Sequence, residues 1–206
     1  MSKTKAILKD AMILTAITLV AGFLLGLVFQ VTAAPREKAA KAQTEAAYKS
    51  VFEKASSFED VKDFDGDAAT KLLHKADGNY STVKITGLCE AKDSSGKSLG
   101  YVITLVTKSY GGDATLAMGV TNEGVMNGYS ITDISDTPGL GMKAKESKFM
   151  NQFKDLAAGT YHVTKSSPAG DGEIEAISGA TITSKAITDA INAGFVYFKS
   201  LTGGGQ

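Results

Sequence analysis

The sequence predicts an α+β chain: one N-terminal transmembrane helix, then a mainly antiparallel-sheet domain with flanking helices. Three observations carry this. Residues 11–29, "AMILTAITLVAGFLLGLVF", hold no charged side chain. Between residues 80 and 130 lie the β-rich runs "YSTVKI", "GYVITLVTK" and "ATLAMGVT", divided by "DSSGK", "YGGD" and "TNEG". Connections that short favour antiparallel hairpins. Near the C-terminus, Ile187, Ala190, Ile191, Gly194, Phe195 and Phe198 fall on one face of a helix expected from about Ser184 to Leu201, which "TGGG" then stops.

In chain order, residues 1–10 form a short arm carrying Lys3, Lys5 and Lys9. Residues 11–33 form the membrane span, since about 20 apolar residues in a helix cross a bilayer core. "VTA" before Ala34 resembles a signal-peptide cleavage site, but the apolar run is longer than a signal core, so a retained anchor is expected. Arg36, Lys38, Lys41 and Lys49 follow the span, and charge counting leaves its orientation close to a tie. Gly22 and Gly26 have the small-residue spacing that lets another membrane helix approach, a weak motif by itself. Residues 34–60, Ala-rich and charged, read as a helical stalk, with the helix over about 36–55. The folded domain is expected over 61–206. It opens on "DFDGDAAT", whose acids fail the calcium-loop pattern: the glycine comes fourth and no glutamate falls twelfth. An exposed acidic turn is expected there. After Gly141, the residues Met142, Phe149, Met150 and Phe153 have a partly helical spacing.

Composition narrows the chemistry. Lys+Arg and Asp+Glu both total 22, which gives no reason to expect a nucleic-acid partner. Cys89 is the single cysteine, so neither an intramolecular disulfide nor a cysteine metal site can form. The only histidines are His74 and His162. With so few acid–base groups and no visible nucleophile, base or dinucleotide site, any chemistry is expected to come from a cofactor, and no catalytic residue is assigned.

Three stretches could hold one. "TPGLGMKA" places Gly139, Gly141 and Ala144 at the spacing of a dinucleotide fingerprint, but Pro138 and "SDT" stand where a buried strand is required. What remains is a glycine turn able to lie against a flat ligand. "SYGGD", Ser109 to Asp113, is expected to be a tight hairpin connection rather than a platform setting Tyr110 over an aromatic ligand. "SGAT" leaves space around Gly179 and Ala180 and sets Thr181 just before a helix N-terminus, where free N–H groups favour an anion. Ser178, Thr183 and Ser184 add hydroxyls and Lys185 a charge. On the residues alone, Thr183 or Ser184 acting as a plain helix cap ranks first.

"SGATITSKAI" together with "DTPGLG" resembles the FMN-binding domain of two related families: the G subunit of the Rnf electron-transport complex and the C subunit of the sodium-pumping NADH:quinone oxidoreductase. The order of features agrees along nearly the whole chain, and the short length is closer to the Rnf protein. The family's usual Glu before the turn is Asp136 here, and its usual Asp six residues before the modified threonine is Glu175. The resemblance implies FMN joined by a phosphoester to Thr181, transferred from FAD by a separate flavin transferase. It implies that Thr137, Pro138, Gly139, Leu140 and Gly141 line the flavin. Ser178, Gly179, Ala180, Thr183, Ser184 and Lys185 would surround the attachment. It further implies electron relay, with other membrane and soluble subunits, in a complex coupling reduced ferredoxin and NAD to sodium or proton transport. The soluble domain would face away from the cytoplasm. Two alternatives stay open: an FMN-binding domain of another membrane reductase or regulator, and a non-redox membrane-anchored assembly module.

Overall fold

A computed structural model describes residues 3–203 except 77, 79 and 169, and in its first helix the side chains of residues 3, 4 and 6 are not described. Gly204 and Gly205, part of the expected stop, and the first two residues of the arm lie outside the described residues. The chain divides into two compact units, 1–43 and 44–206.

The first unit is helical. Helix α1, Lys3–Val31, includes a stretch over Ile7–Val31 long and apolar enough to cross a membrane. Its large apolar side chains are exposed, from Ile7 to Val31. Polar groups within the run bond to their own helix, as a hydrocarbon environment demands: Thr15 Oγ1 donates to Ala11 O at 2.9 Å and Thr18 Oγ1 to Thr15 O at 2.9 Å. Arg36 closes the run by laying its guanidinium over the Phe29 ring at 4.1 Å and donating to Phe29 O at 2.8 Å. Gly22 and Gly26 face open space. Helix α2, Ala33–Val51, begins in this unit and ends in the next.

The second unit is built on a six-stranded antiparallel meander: β1 (Ser57–Asp60), β2 (Lys84–Lys92), β3 (Ser98–Lys108), β4 (Asp113–Thr121), β5 (Val125–Ile134) and β6 (Leu156–Ala157), in that spatial order. Side chains alternate across it with the strand period of two. Ile103, Leu105, Leu116 and Met118 enter the larger core, while Val102 and Ala117 face a smaller one formed with Ala47, Val51, Phe52 and Cys89. The sheet therefore reaches beyond the 80–130 span that the sequence suggests. Residues 57–60, grouped with the stalk on sequence, form its edge strand, and the stalk helix stops at Val51.

Three further features complete the unit around the sheet. Helix α3, Gly66–Lys75, starts where the expected acidic turn lies: Asp65 accepts from the amides of Asp67 (2.9 Å) and Ala68 (3.0 Å), capping it. Gly141–Lys145 and Asn151–Phe153 are 3₁₀ turns around α4, Ser147–Met150, and the three together bury Phe149 and Phe153. Beyond them β7 (His162–Thr164) and β8 (Glu173–Glu175) form a small parallel pair.

Helix α5, Thr181–Leu201, lies on the larger core with all six expected face residues buried. Its Gly194 lets the helix close on the sheet, since a Cβ there would meet Leu105 Cδ1 at 3.2 Å as well as Met118. The helix begins three residues earlier than the sequence suggests, so Thr181 is its first residue rather than a flanking one.

Candidate functional site

A cavity of about 400 Å³ opens where three connections meet. Its lining is Tyr110 from the β3–β4 hairpin; Asp136, Thr137, Leu140 and Gly141 from the segment after β5; and Gly179 through Thr183 at the start of α5. Thus Thr137, Leu140 and Gly141 of "TPGLG" and Gly179, Ala180 and Thr181 of "SGAT", far apart in sequence, form two walls of one cavity. That size lies within the usual range for small-molecule sites. A cavity of about 490 Å³ near Phe52, Lys97, Asn122 and Lys154 holds none of the residues singled out.

Asp136 ties the walls together. It is 4% exposed, and its carboxylate takes three donors: Ser109 Oγ (2.6 Å) and Thr183 Oγ1 (2.5 Å) on Oδ2, and the Gly111 amide (2.6 Å) on Oδ1. Burial pushes its pKa up, but the bonds from Ser109, Thr183 and Gly111 outweigh burial and hold it below the ordinary aspartate value. Gly141 is required beneath this carboxylate: a Cβ there would stand 2.6 Å from Asp136 Cβ and 2.7 Å from Thr183 Oγ1.

The turn from Ile177 to Ala180 is held from behind. Ala180 is the N-cap of α5, and no side chain caps the helix. Neither Thr183 nor Ser184 is therefore the plain cap that ranks first on sequence. Ser184 is buried, accepts from the Ile177 amide at 2.9 Å and donates to Ala180 O at 3.0 Å, so both ends of the turn are fixed to the helix. Gln152 adds a two-point clamp, accepting from Glu175 N at 2.7 Å and donating to Glu175 O at 3.2 Å. Gly179 sits at φ +76°, where a side chain would be strained and would meet Leu140 Cδ2 at 3.0 Å.

Thr181 is exposed on the first turn of this uncapped helix, whose leading N–H groups have no intrahelical acceptor. The two nearby threonines are thus chemically distinct. Thr181 presents an exposed hydroxyl, whereas Thr183 is 1% exposed and commits its proton to Asp136. Leu140 and Ile182, 42% and 58% exposed, form apolar walls, and Tyr110 is exposed at the cavity.

Not every sequence-predicted residue joins the cavity. Pro138 and Gly139 are exposed beside it and do not line it. Ser178 lines a separate recess of about 170 Å³ with Lys143, Gln152 and Glu175. Ser184 is spent on the turn, and Lys185 pairs with Asp189 at 2.7 Å instead of standing free for a ligand. Conversely, sequence reasoning favours a plain hairpin at Tyr110 and gives no role to Ser109, Gly111 or Ile182. The signal that could find them is a carboxylate directly before a Thr-Pro-Gly turn, paired with a Ser-x-Gly hairpin.

A family described as "FMN-binding domain" matches residues 109–195, which begin at Ser109 and run past Thr183. The chain is 31% identical to the G subunit of the ion-translocating oxidoreductase complex of Methanosarcina acetivorans, over 98% of its own length and 100% of the relative's. It is 32% identical to the G subunit of the Na(+)-translocating ferredoxin:NAD(+) oxidoreductase complex of Acetobacterium woodii, over 96% and 94%. Among solved structures, Shewanella oneidensis NqrC superposes with a TM-score of 0.50, covering 76% of this chain and 88% of that one, at 17% identity, a likeness of fold. With an antiparallel α+β domain behind one apolar N-terminal helix, and relatives matching end to end, the chain belongs to the G subunits of the Rnf ion-translocating oxidoreductase complexes and contains their FMN-binding domain.

Proposed function

We propose that this chain is a membrane-anchored flavoprotein subunit that carries one FMN on Thr181 through a phosphoester and relays electrons in an ion-pumping ferredoxin:NAD oxidoreductase complex. The observation that carries the reading is the exposed Thr181 hydroxyl on an uncapped helix N-terminus at the wall of a 400 Å³ cavity. The residues present fit the group. Gly179 and Gly141 keep the walls clear of Cβ atoms, Leu140 and Ile182 supply apolar contact for a flat ring, and the first-turn amides of α5 suit a phosphate.

When bound, FMN supplies the redox chemistry. The chain's own part is to hold and orient. Thr181 Oγ would be the atom that takes the FMN phosphoryl from FAD in a flavin transferase, with AMP as the leaving group and the threonine proton passing to a base of that enzyme. The α5 amides then hold the phosphodiester charge. Ser184 and Gln152 keep the turn in place during that step, and Asp136 withholds the Thr183 hydroxyl from it. Anchored by α1, the domain works on the extracytoplasmic side with the other membrane and soluble subunits.

The test is co-expression with an active flavin transferase, followed by intact mass and in-gel flavin fluorescence. Wild type carries an FMN-sized adduct and Thr181→Val carries none. An adduct on Thr181→Val rejects the site, and a bare wild-type chain rejects the flavoprotein reading.

A further inference from the structure

Asp136 does more in this fold than a turn residue needs to do. Its oxygens receive two hydroxyls and an amide, so the carboxyl acts purely as an acceptor, the bonding pattern of the ionised form. It is 4% exposed, so water screens it poorly. Among the described residues no cation pairs with it. The lysines beside its donors in sequence are engaged elsewhere, Lys108 with Asp113 at 2.5 Å and Lys185 with Asp189 at 2.7 Å. Three donors hold this charge at the cavity wall, next to the N-terminus of α5.

We propose that Asp136 is the potential-setting residue of the cavity: a fixed anion in its wall that lowers the reduction potential of the cofactor held there. The inference rests on the FMN reading above. Reduction delivers electrons, and a fixed anion raises the cost of any negative charge they add, most of all where solvent screening is weak. The Ser109 and Thr183 hydroxyls and the Gly111 amide keep the charge in place and disperse part of it. They also make Asp136 a positioning residue for both walls.

The experiment uses the full chain co-expressed with flavin transferase. The flavin midpoint potential is measured by spectroelectrochemistry at pH 7 on wild type, Asp136→Asn, Asp136→Glu and Thr183→Val. Thermal melts of the flavin-free forms run in parallel and report folding independently. Asp136→Asn, nearly isosteric but neutral, raises the potential. Asp136→Glu, which keeps the charge, stays near wild type. Thr183→Val, which removes a dispersing donor and leaves the anion, lowers it. A purely structural Asp136 predicts that all three variants drift together as the cavity loosens. An unmoved or lowered potential in Asp136→Asn overturns the proposal, as does an equal rise in Asp136→Glu. Should Asp136→Asn fail to fold or to load, the sign in Thr183→Val decides alone, and a rise there overturns it. These outcomes presuppose FMN on the wild-type chain. Its absence with an active transferase removes the functional reading and this inference together, whereas FMN present with the wrong potentials removes this inference only.

Discussion

Thr183 Oγ1 and Asp136 Oδ2 are joined at 2.5 Å across 47 residues of sequence, and that bond fastens the first turn of α5 to the glycine turn that follows β5. It is buried on both sides. Removing one partner leaves a charged group short of a donor, which costs about 1–3 kcal/mol. Thr183→Val therefore lowers the thermal or urea midpoint measurably. On the proposed attachment it should still carry FMN on Thr181, because that hydroxyl is untouched. Peptide mass mapping that finds the adduct lost with Thr183 would move the attachment site.

The same carboxylate makes acid stability specific. Its folded pKa is held below the unfolded value of about 3.9. A depressed carboxyl stabilises the fold above the unfolded value, and that contribution disappears as pH falls through the folded one. Between pH 5 and pH 3, wild type should lose more stability to urea than Asp136→Asn. Equal losses would show that the carboxylate is not stabilised in the fold.

Thr181 has the opposite character. Its side chain is exposed, so Thr181→Val is expected to change stability by less than about 0.5 kcal/mol while abolishing covalent flavin. The two threonines thus separate cleanly: one substitution costs cofactor and little stability, the other stability and little cofactor.

Local features are legible in the sequence, and meetings of distant segments are not. An uncharged run and period-two alternation are local, so α1 and the central strands can be read directly. The edge strand Ser57–Asp60, "SFED", has no apolar alternation and becomes a strand only by pairing with β2. The start of α5 reads three residues late because Thr-Ile-Thr is β-branched, with modest helix propensity, and Ser184 resembles a cap. Burial of Thr183 and Ser184 against neighbouring segments overrides that local preference. The Asp136 network joins residues 109, 111, 136 and 183, and no periodicity records such a meeting. Thr181, Gly179 and the "TPGLG" turn can be linked in advance because motif resemblance, unlike periodicity, spans that distance.

Cys89 is expected to be inert in the folded protein. It is 4% exposed, and burial first, then the bond from its Sγ to Asp60 Oδ1 at 3.0 Å, push the thiol up to about 12. The thiolate is the reacting form. Iodoacetamide at pH 8 should label the protein only after denaturation; rapid labelling of the native chain would contradict this burial.

Gly179 tests the geometry of the turn before Thr181. Its φ of +76° is strained for any side chain, at about 1–2 kcal/mol, and a new Cβ would press on Leu140 Cδ2 at 3.0 Å. Leu140 is 42% exposed and can swing away, so Gly179→Ala folds with reduced stability. The displaced leucine enters the cavity or leaves its wall open, and the turn bearing Thr181 shifts with it. Gly179→Ala should therefore load a smaller fraction of chains with FMN, and the flavin it holds should absorb at a shifted wavelength. Leu140→Asp, which leaves the turn unstrained, should load normally and shift the spectrum alone. If Gly179→Ala matches wild type in both FMN-to-protein ratio and absorbance, the Gly179–Leu140 contact has no part in the site.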